Sequence, residues 1–415
     1  MIKAVHTHKN IFWLTRLPGS SLYRTILTVV LLIIANLALS SCGALTTRNP
    51  LPEQYVQDAQ IEDMPFARFW GDEMPSDWQE RLVEIKKHFS TIDQDVKEKT
   101  LNYLAISGGG ANGAFGAGLL VGWTAAGNRP EFDIVTGVST GALIAPFAFL
   151  GPEQDAEIRK FYTTTSTEDI IIKRTILTIL RGESITDSEP LRETLTEIFD
   201  QQMLAAIAAE HVKGRRLFVG TTNLDAGRPV IWDIGAIAAS KHPHAAELVV
   251  DVLLASASVP GVFPAIFFEI EAGGEEYDEM HVDGGTSSQM FLYPAPLDAQ
   301  KIDEIIGMKG KYRLFLIRNA SLTSEWKAVE PKVSRIAIRS IGTLVRTQGT
   351  GDLYRLYLRT QRDGLDYNLA YIPEDFTMKS KELFDPEYMS QLFDLGYRMA
   401  EGGYPWKKGP PGIEP

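Results

Sequence analysis

The sequence predicts an α/β fold in three layers, with a central, mostly parallel sheet between helices. Three observations predict it. Short apolar stretches of strand length alternate with longer stretches of helical spacing along most of the chain. A run of glycines, Gly108-Gly109-Gly110-Ala111-Asn112-Gly113, sits directly between a strand candidate and a helix candidate. A second strand–turn–helix passage follows it, turning at Gly137-Val138-Ser139-Thr140-Gly141. Strands joined through helices pair in parallel and are covered on both faces.

Taken in order, residues 1–41 hold Lys3, Lys9, Arg16 and Arg24 and no acidic residue, and an apolar run, Ile26 to Leu39, follows. That run has the length of a signal-peptide core and falls short of the ~20 residues that span a bilayer. It ends in Leu39-Ser40-Ser41-Cys42, which resembles the lipobox of bacterial lipoprotein signals. The resemblance implies cleavage before Cys42, diacylation of its sulfur and a lipid-anchored place in the cell envelope. Gly43 stands where an Asp resembles an inner-membrane retention signal, which points to the outer membrane. The rival reading is an incidental cysteine. Cys42 is the one cysteine of the chain, so an intramolecular disulfide is excluded.

Residues 43–75 carry Pro50, Pro52 and Pro65 with few periodic apolar positions and read as a tether with short ordered pieces. Trp78 to Phe89 has helical spacing through Leu82, Ile85 and Phe89. Leu101–Ser107 reads as a buried strand, Ala114 to Ala126 as a helix, Phe132–Val138 as a second strand and Thr140–Leu150 as a second helix. Later strand candidates are Arg216–Thr221, Pro229–Asp233, Met280–Val282 and Tyr312–Arg318. Charged-apolar helical stretches follow at Ala337–Leu344, Tyr354–Leu365 and Met389–Met399, and the proline-bearing tail from Gly402 reads as extended. The expected division is therefore a signal segment at 1–41, a tether and N-terminal helical segment at 42–100, an α/β body at 101–298 and a helical extension packed on it at 299–415.

Composition bounds the function. The chain has 415 residues, 44% hydrophobic and 23% charged, near a soluble average. Lys plus Arg is 41 against 53 Asp plus Glu, a net of −12, which argues against a nucleic-acid partner. Loss of residues 1–41 would take that net to −16, so charge alone would not draw the body to anionic headgroups. Histidine, cysteine and carboxylate spacings of the zinc or EF-hand kind are absent, and no metal or cofactor is expected.

The glycine run admits three readings. Gly108, Gly110 and Gly113 satisfy a dinucleotide fingerprint, but Asp133, the acidic residue at the right distance, lies at the start of its strand, the wrong end. A phosphate loop needs Lys where Ala114 stands. An oxyanion hole needs convergent backbone amides at a helix N-terminus, which consecutive glycines permit. Gly137–Gly141 matches G-x-S-x-G in the strand–turn–helix setting of a nucleophile elbow, with Ser139 as the nucleophile; a glycine-flanked helix cap is the plainer alternative. The base is harder to find. Of His6, His8, His88, His211, His242, His244 and His281, only His281 is a serious candidate, and it reads more readily as a strand residue beside Asp283. Phe263, Phe267, Phe268, Met290, Phe291 and Leu292 are candidates for an acyl groove, though such residues usually pack inside, as Trp123 is expected to do.

Together the motifs GGGANG at 108–113, GVSTG at 137–141 and Asp283-Gly284-Gly285, with Ala255 to Pro264 before the last, resemble the patatin-like phospholipase family over roughly residues 101–298. The resemblance implies a patatin-like fold and a Ser–Asp dyad without a catalytic histidine. Ser139 would be the nucleophile and Asp283 the base, and the amides of Gly108, Gly109, Gly110 and Ala111 would form the oxyanion hole. It also implies a lipid or phospholipid acyl ester as substrate. Asn112 departs from the Arg or Lys that many members carry there. An oxidoreductase using the 108–113 loop and a non-catalytic envelope lipoprotein remain the competing functions.

Overall fold

The computed structural model describes residues 48–90, 99–173, 184, 186–294, 296–307, 310–324 and 326–413. Cys42 and the apolar run before it lie outside the described residues. The chain divides into two units, residues 1–49 and 50–415, and the fold below is that of the second. Its elements in chain order are β1 (Arg68–Trp70), α1 (Trp78–Ser90), β2 (Leu101–Ile106), α2 (Gly113–Ala125), β3 (Ile134–Val138), α3 (Thr140–Leu150), α4 (Asp155–Thr164), α5 (Thr167–Ile170), β4 (Ile172–Lys173), β5 (Thr186–Asp187), α6 (Glu189–Ile198), α7 (Gln201–Val212), β6 (Arg216–Asn223), β7 (Arg228–Asp233), α8 (Ile234–Ala239), α9 (Ala245–Ala257), β8 (Ile266–Ala272), β9 (Glu275–Asp283), α10 (Ala299–Ile306), β10 (Tyr312–Arg318), α11 (Val333–Asp363), β11 (Leu365–Tyr371) and α12 (Pro386–Glu401).

Among the described residues the main sheet has nine strands. Five run parallel in the order β6-β3-β2-β10-β11. Beyond β6 the pairing turns antiparallel, through β7 to β1, and β9 joins β6 and β8 the same way. The two faces follow from the period-2 alternation of a strand. On β2, Leu104 and Ile106 enter a large core with residues of α2, α3, α9 and α12, whereas Ala105 enters a second core on the other face. On β10, Phe315 and Ile317 join the first core, while Leu314 and Leu316 join the second, where Leu353 and Leu356 of α11 cover the sheet. Helices thus flank the sheet on both faces, and the three-layer expectation holds.

The first layer is tightly set. Gly113–Trp123 of α2 is buried on all sides, which is why the segment is apolar all round rather than amphipathic. α12 starts at Asp385, whose carboxylate accepts the Glu387 and Tyr388 amides at 3.1 and 3.3 Å, with Pro386 at its first position. It packs against α2 at backbone distance. A Cβ on Gly118 would sit 2.0 Å from the Phe393 carbonyl oxygen, and one on Gly122 would sit 2.2 Å from that of Tyr397.

Four expectations need correction. Within residues 48–75 the short ordered pieces are integral to the body rather than parts of a free tether, because β1 pairs with β7 and Met64, Ala67 and Trp70 are buried in the first core. Residues 299–415 are not a helical extension, because β10 and β11 are strands of the central sheet, β10 lying between β2 and β11. The two helical stretches Ala337–Leu344 and Tyr354–Leu365 fall largely within the single 31-residue helix α11, and Leu365 itself opens β11. The tail is ordered against the sheet: Leu369 and Lys407 exchange backbone hydrogen bonds at 2.8 and 3.1 Å, which covers the outer edge of β11.

The α2–α12 contact gives a direct test. Gly118→Ala forces the helices apart and should lower stability by about 1–3 kcal/mol, read as a reduced urea midpoint with unchanged slope. An unchanged midpoint would show that the helices are not in backbone contact.

Candidate active site

The apolar strand β3 ends at Val138, and the chain reverses at Ser139 with φ 56 and ψ −128. A non-glycine residue holds such a conformation at a cost of roughly 1–3 kcal/mol, so its surroundings must enforce it. Two close approaches do so. A Cβ on Gly137 would lie 2.4 Å from the Gly141 carbonyl oxygen, and one on Gly141 would lie 2.3 Å from that of Ile106. Both glycines of G-x-S-x-G are therefore steric requirements of the turn. The Ser139 amide donates to Ser256 Oγ at 3.0 Å, and that hydroxyl donates to the Gly220 carbonyl at 2.7 Å. Ser256 thus ties the turn to β6.

β6 also sets the position of Asp283. One of its edges is taken by β7 over Phe218–Asn223. The other is shared: β3 pairs with Arg216–Gly220, and β9 takes up Thr221–Asn223 from the opposite direction. Val138 lies opposite Gly220, and Asp283 lies opposite the next residue, Thr221. The two strands end facing each other, so Ser139 and Asp283 meet at the junction. The Ser139 hydroxyl lies near enough to the Asp283 carboxylate to favour its ionised form, and the two residues are 7% and 5% exposed. The Asp283 carboxylate also accepts the Gly285 amide at 2.7 Å. Burial raises its pKa from the ordinary carboxylate range to about 6, against the opposing pull of the Ser139 hydroxyl and the Gly285 amide.

The glycine run lies against the same serine. A Cβ on Gly108 would come within 3.0 Å of Ser139 Cβ and 2.9 Å of Gln289 Oε1. Gly108 and Ala111 are buried, while Gly109 and Gly110 are exposed and Gly110 has φ +57. A short 3₁₀ turn, Gly110–Asn112, leads into α2. Its first amides, those of Gly110 and Ala111, have no acceptor within the turn, as at any helix start. The loop is held by Asn319, which follows β10. Its amide donates to Ser107 Oγ and its side-chain nitrogen to the Ser107 carbonyl, both at 2.9 Å, while its side-chain oxygen accepts the Gly116 amide at 3.1 Å. Asn112 accepts a hydrogen bond from the Tyr388 hydroxyl at 2.6 Å, so it braces the loop on α12.

Beside Ser139 and Gly110 opens a narrow apolar recess lined by Leu143, Phe161, Ile170, Leu191, Phe263 and Met389. Of the six groove candidates only Phe263 lines it. Phe268, Met290 and Leu292 are buried core residues, and Trp123 packs on Phe132, Phe315 and Trp406 as expected. Ser256 and Asn319 were missed in the sequence. Asn319 had one available signal: it directly follows a strand, at the sheet edge where α/β folds carry their sites.

Other candidates fall elsewhere. His281 is fully buried with its ring between Thr221 Oγ1 at 2.9 Å and Glu279 Oε2 at 3.2 Å, and burial lowers its pKa. Asp133 accepts the Asn102 amide at 2.7 Å, at the opposite strand end from the glycine run. A dinucleotide site would therefore lack its ribose carboxylate.

Residues 104–296 match the patatin-like phospholipase family. Solved structures that resemble the chain include VipD from Legionella pneumophila, with a TM-score of 0.36 and 11% identity over 73% of this chain and 66% of that one. Human GIVD cytosolic phospholipase A2 gives a TM-score of 0.34 and 10% identity, over 81% of this chain and 64% of that one. The chain therefore spans less than two thirds of the length of either. No curated protein matches it. The family match spans a little under half of the 415-residue chain, and over residues 104–296 the chain is similar to the patatin-like phospholipases.

Proposed function

We propose that the chain is a serine acyl hydrolase that cleaves carboxylic esters of lipids, with Ser139 as nucleophile and Asp283 as its base. The observation that carries this reading is the meeting of Ser139 with Asp283 where β3 and β9 abut on β6, the carboxyl raised by burial to about pKa 6 and the serine lining an apolar recess. A serine hydroxyl needs a base to attack, and an ordinary aspartate is too weak at neutral pH. A carboxyl raised to about 6 is ionised at neutral pH yet a better proton acceptor. The family match supports a lipid ester as substrate.

In this mechanism the acyl chain lies in the recess and its carbonyl sits over Ser139. Asp283 accepts the hydroxyl proton as Oγ attacks the carbonyl carbon. The oxygen of the tetrahedral species faces the amides of the 108–111 run, whose loss one at a time would cost on the order of 3 kcal/mol in the barrier. Collapse expels the alcohol, which takes the proton back, and leaves an acyl-serine. Water, deprotonated in turn by Asp283, releases the fatty acid. The same reading places the chain in a bacterial envelope, anchored through acylated Cys42. Among the described residues no helix is long and apolar enough to cross a membrane.

Four tests follow from this reading. Ser139→Ala should reduce hydrolysis of short acyl esters by about 10³-fold or more and abolish fluorophosphonate labelling, with the fold intact by circular dichroism. Retained labelling would remove Ser139 from the mechanism. Activity should fall on acidification with a midpoint near pH 6, as Asp283 takes up the proton that disables it. Asp283→Asn should lose activity at every pH yet gain stability relative to the parent as pH rises. The folded carboxyl holds its proton up to about pH 6 while the unfolded one releases it near 4, so the parent loses up to about 3 kcal/mol across that window and the amide does not. Equal urea midpoint differences at both ends of the window would disprove the raised pKa. Finally, Cys42→Ser should move the protein from the membrane to the soluble fraction on cell lysis; persistence in the membrane would exclude that anchor.

A further inference from the structure

Among the described residues, no side chain of the N-terminal part of α11, residues 333–344, enters either core. The helix touches the body through its C-terminal half, where Leu353 and Leu356 enter the core beneath the sheet. Near its middle it grips the loop that follows Asp283. Asp352 Oδ2 accepts the Gln289 and Met290 amides at 2.7 and 3.2 Å, and Gln348 donates to the Ser287 carbonyl. From there it runs back to Val333, about 20 Å at 1.5 Å per residue. Over that length Val333, Ile336, Ile338, Ile341 and Leu344 are 87, 50, 61, 45 and 69% exposed. Just before the helix, Trp326 is 86% exposed.

The pattern on this half-helix is ordered. At about 100° per residue, Val333, Ile336, Ala337, Ile338, Ile341, Leu344 and Val345 cover an arc of about 200°. Lys332, Arg335, Arg339 and Arg346 fall together within about 60° on the opposite side. From Trp326 to Gly351 there are five basic residues and one acidic residue, in a chain whose net charge is −12. The β-branched residues and Gly342 are weak helix formers, so propensity adds little to this exposed end of the helix.

We infer that residues 326–346 form a docking element for an anionic lipid surface, lying along the interface with its aliphatic arc immersed and its basic stripe toward the phosphates. The charge favours that occupant: this is a basic segment on an acidic body, and such segments bind anionic bilayers. The width of the arc favours it too, since a helix seated in a protein groove buries a stripe nearer 100°. The exposed indole at the start suits the headgroup boundary. Docking here brings the loop that follows Asp283, which α11 grips, toward the lipid surface. This deepens the lipid-ester reading above by adding the physical state of the substrate, but the binding itself does not depend on catalysis.

The test uses the full chain carrying Cys42→Ser, Ser139→Ala and Ile338→Cys, with an environment-sensitive fluorophore on the new thiol. Vesicles of phosphatidylcholine with phosphatidylglycerol should blue-shift the fluorophore, and molar salt or the added pair Arg335→Glu and Arg339→Glu should abolish the shift. No shift with these vesicles, or an equal shift with pure phosphatidylcholine at high salt, overturns the proposal. A shift that grows with protein concentration without lipid assigns the face to a second copy and overturns it equally. In otherwise native protein, Arg335→Glu with Arg339→Glu should cut turnover of vesicle lipid at least tenfold while leaving a soluble short-chain ester unchanged. Loss of both activities to the same degree, with the fold intact, would overturn the docking role. Failure of the hydrolase reading shows separately, as undiminished turnover in Ser139→Ala.

Discussion

The site rests on how one strand shares its edge. Because β7 occupies one side of β6, both β3 and β9 must use the other, and they approach it from opposite directions until they abut. The meeting point falls between Gly220 and Thr221. A side chain at 220 would press on Phe291 and Val138, and Gly284 packs so closely that a Cβ there would lie 2.2 Å from the Gly220 carbonyl oxygen. A slip of β9 by one residue would turn Asp283 to the other face of the sheet, since strand side chains alternate. The register of a three-residue pairing is therefore under heavy constraint, and the structure supplies it from behind.

That support is a buried charge network on β9 itself. Arg68 of β1 pairs with Glu279, which hydrogen-bonds His281, which in turn reaches Thr221 on β6. Burial alone would raise Glu279, but the charge of Arg68 and the bond from His281 prevail and bring it to about 2. Four residues on, Asp283 has no cation to offset its burial and goes the other way. Two carboxylates on one strand are driven apart by their surroundings, one kept ionised by its partners and the other raised by burial.

The glycine run, the serine turn and the Asp-Gly-Gly sequence were legible because each requirement is local: a turn or a close approach admits few residue types. What was not legible is set at a distance. β11 opens at Leu365, where the spacing predicts the end of a helix, and carries Asp366 and Asn368. In the fold Asn368 is buried and bonds the Leu314 carbonyl, while Lys408 reaches both residues at 2.7–2.8 Å. β1 has three residues and exists only through its pairing with β7. Ser256 and Asn319 act on partners 117 and 212 residues away, and no spacing rule in the chain announces them.

The insertion of β10 beside β2 carries a consequence for the order in which the molecule is made. A nascent chain that has cleared the ribosome as far as Gly285 already holds Ser139, Asp283 and the glycine run. Yet β2 then has an open edge, and Ser107 waits for Asn319, which is synthesised later. Such long-range pairing is slow to form. The loop before α2 gains its clamp only once the C-terminal quarter of the chain has begun to emerge, so unfinished translation products carry the parts of the centre without its frame.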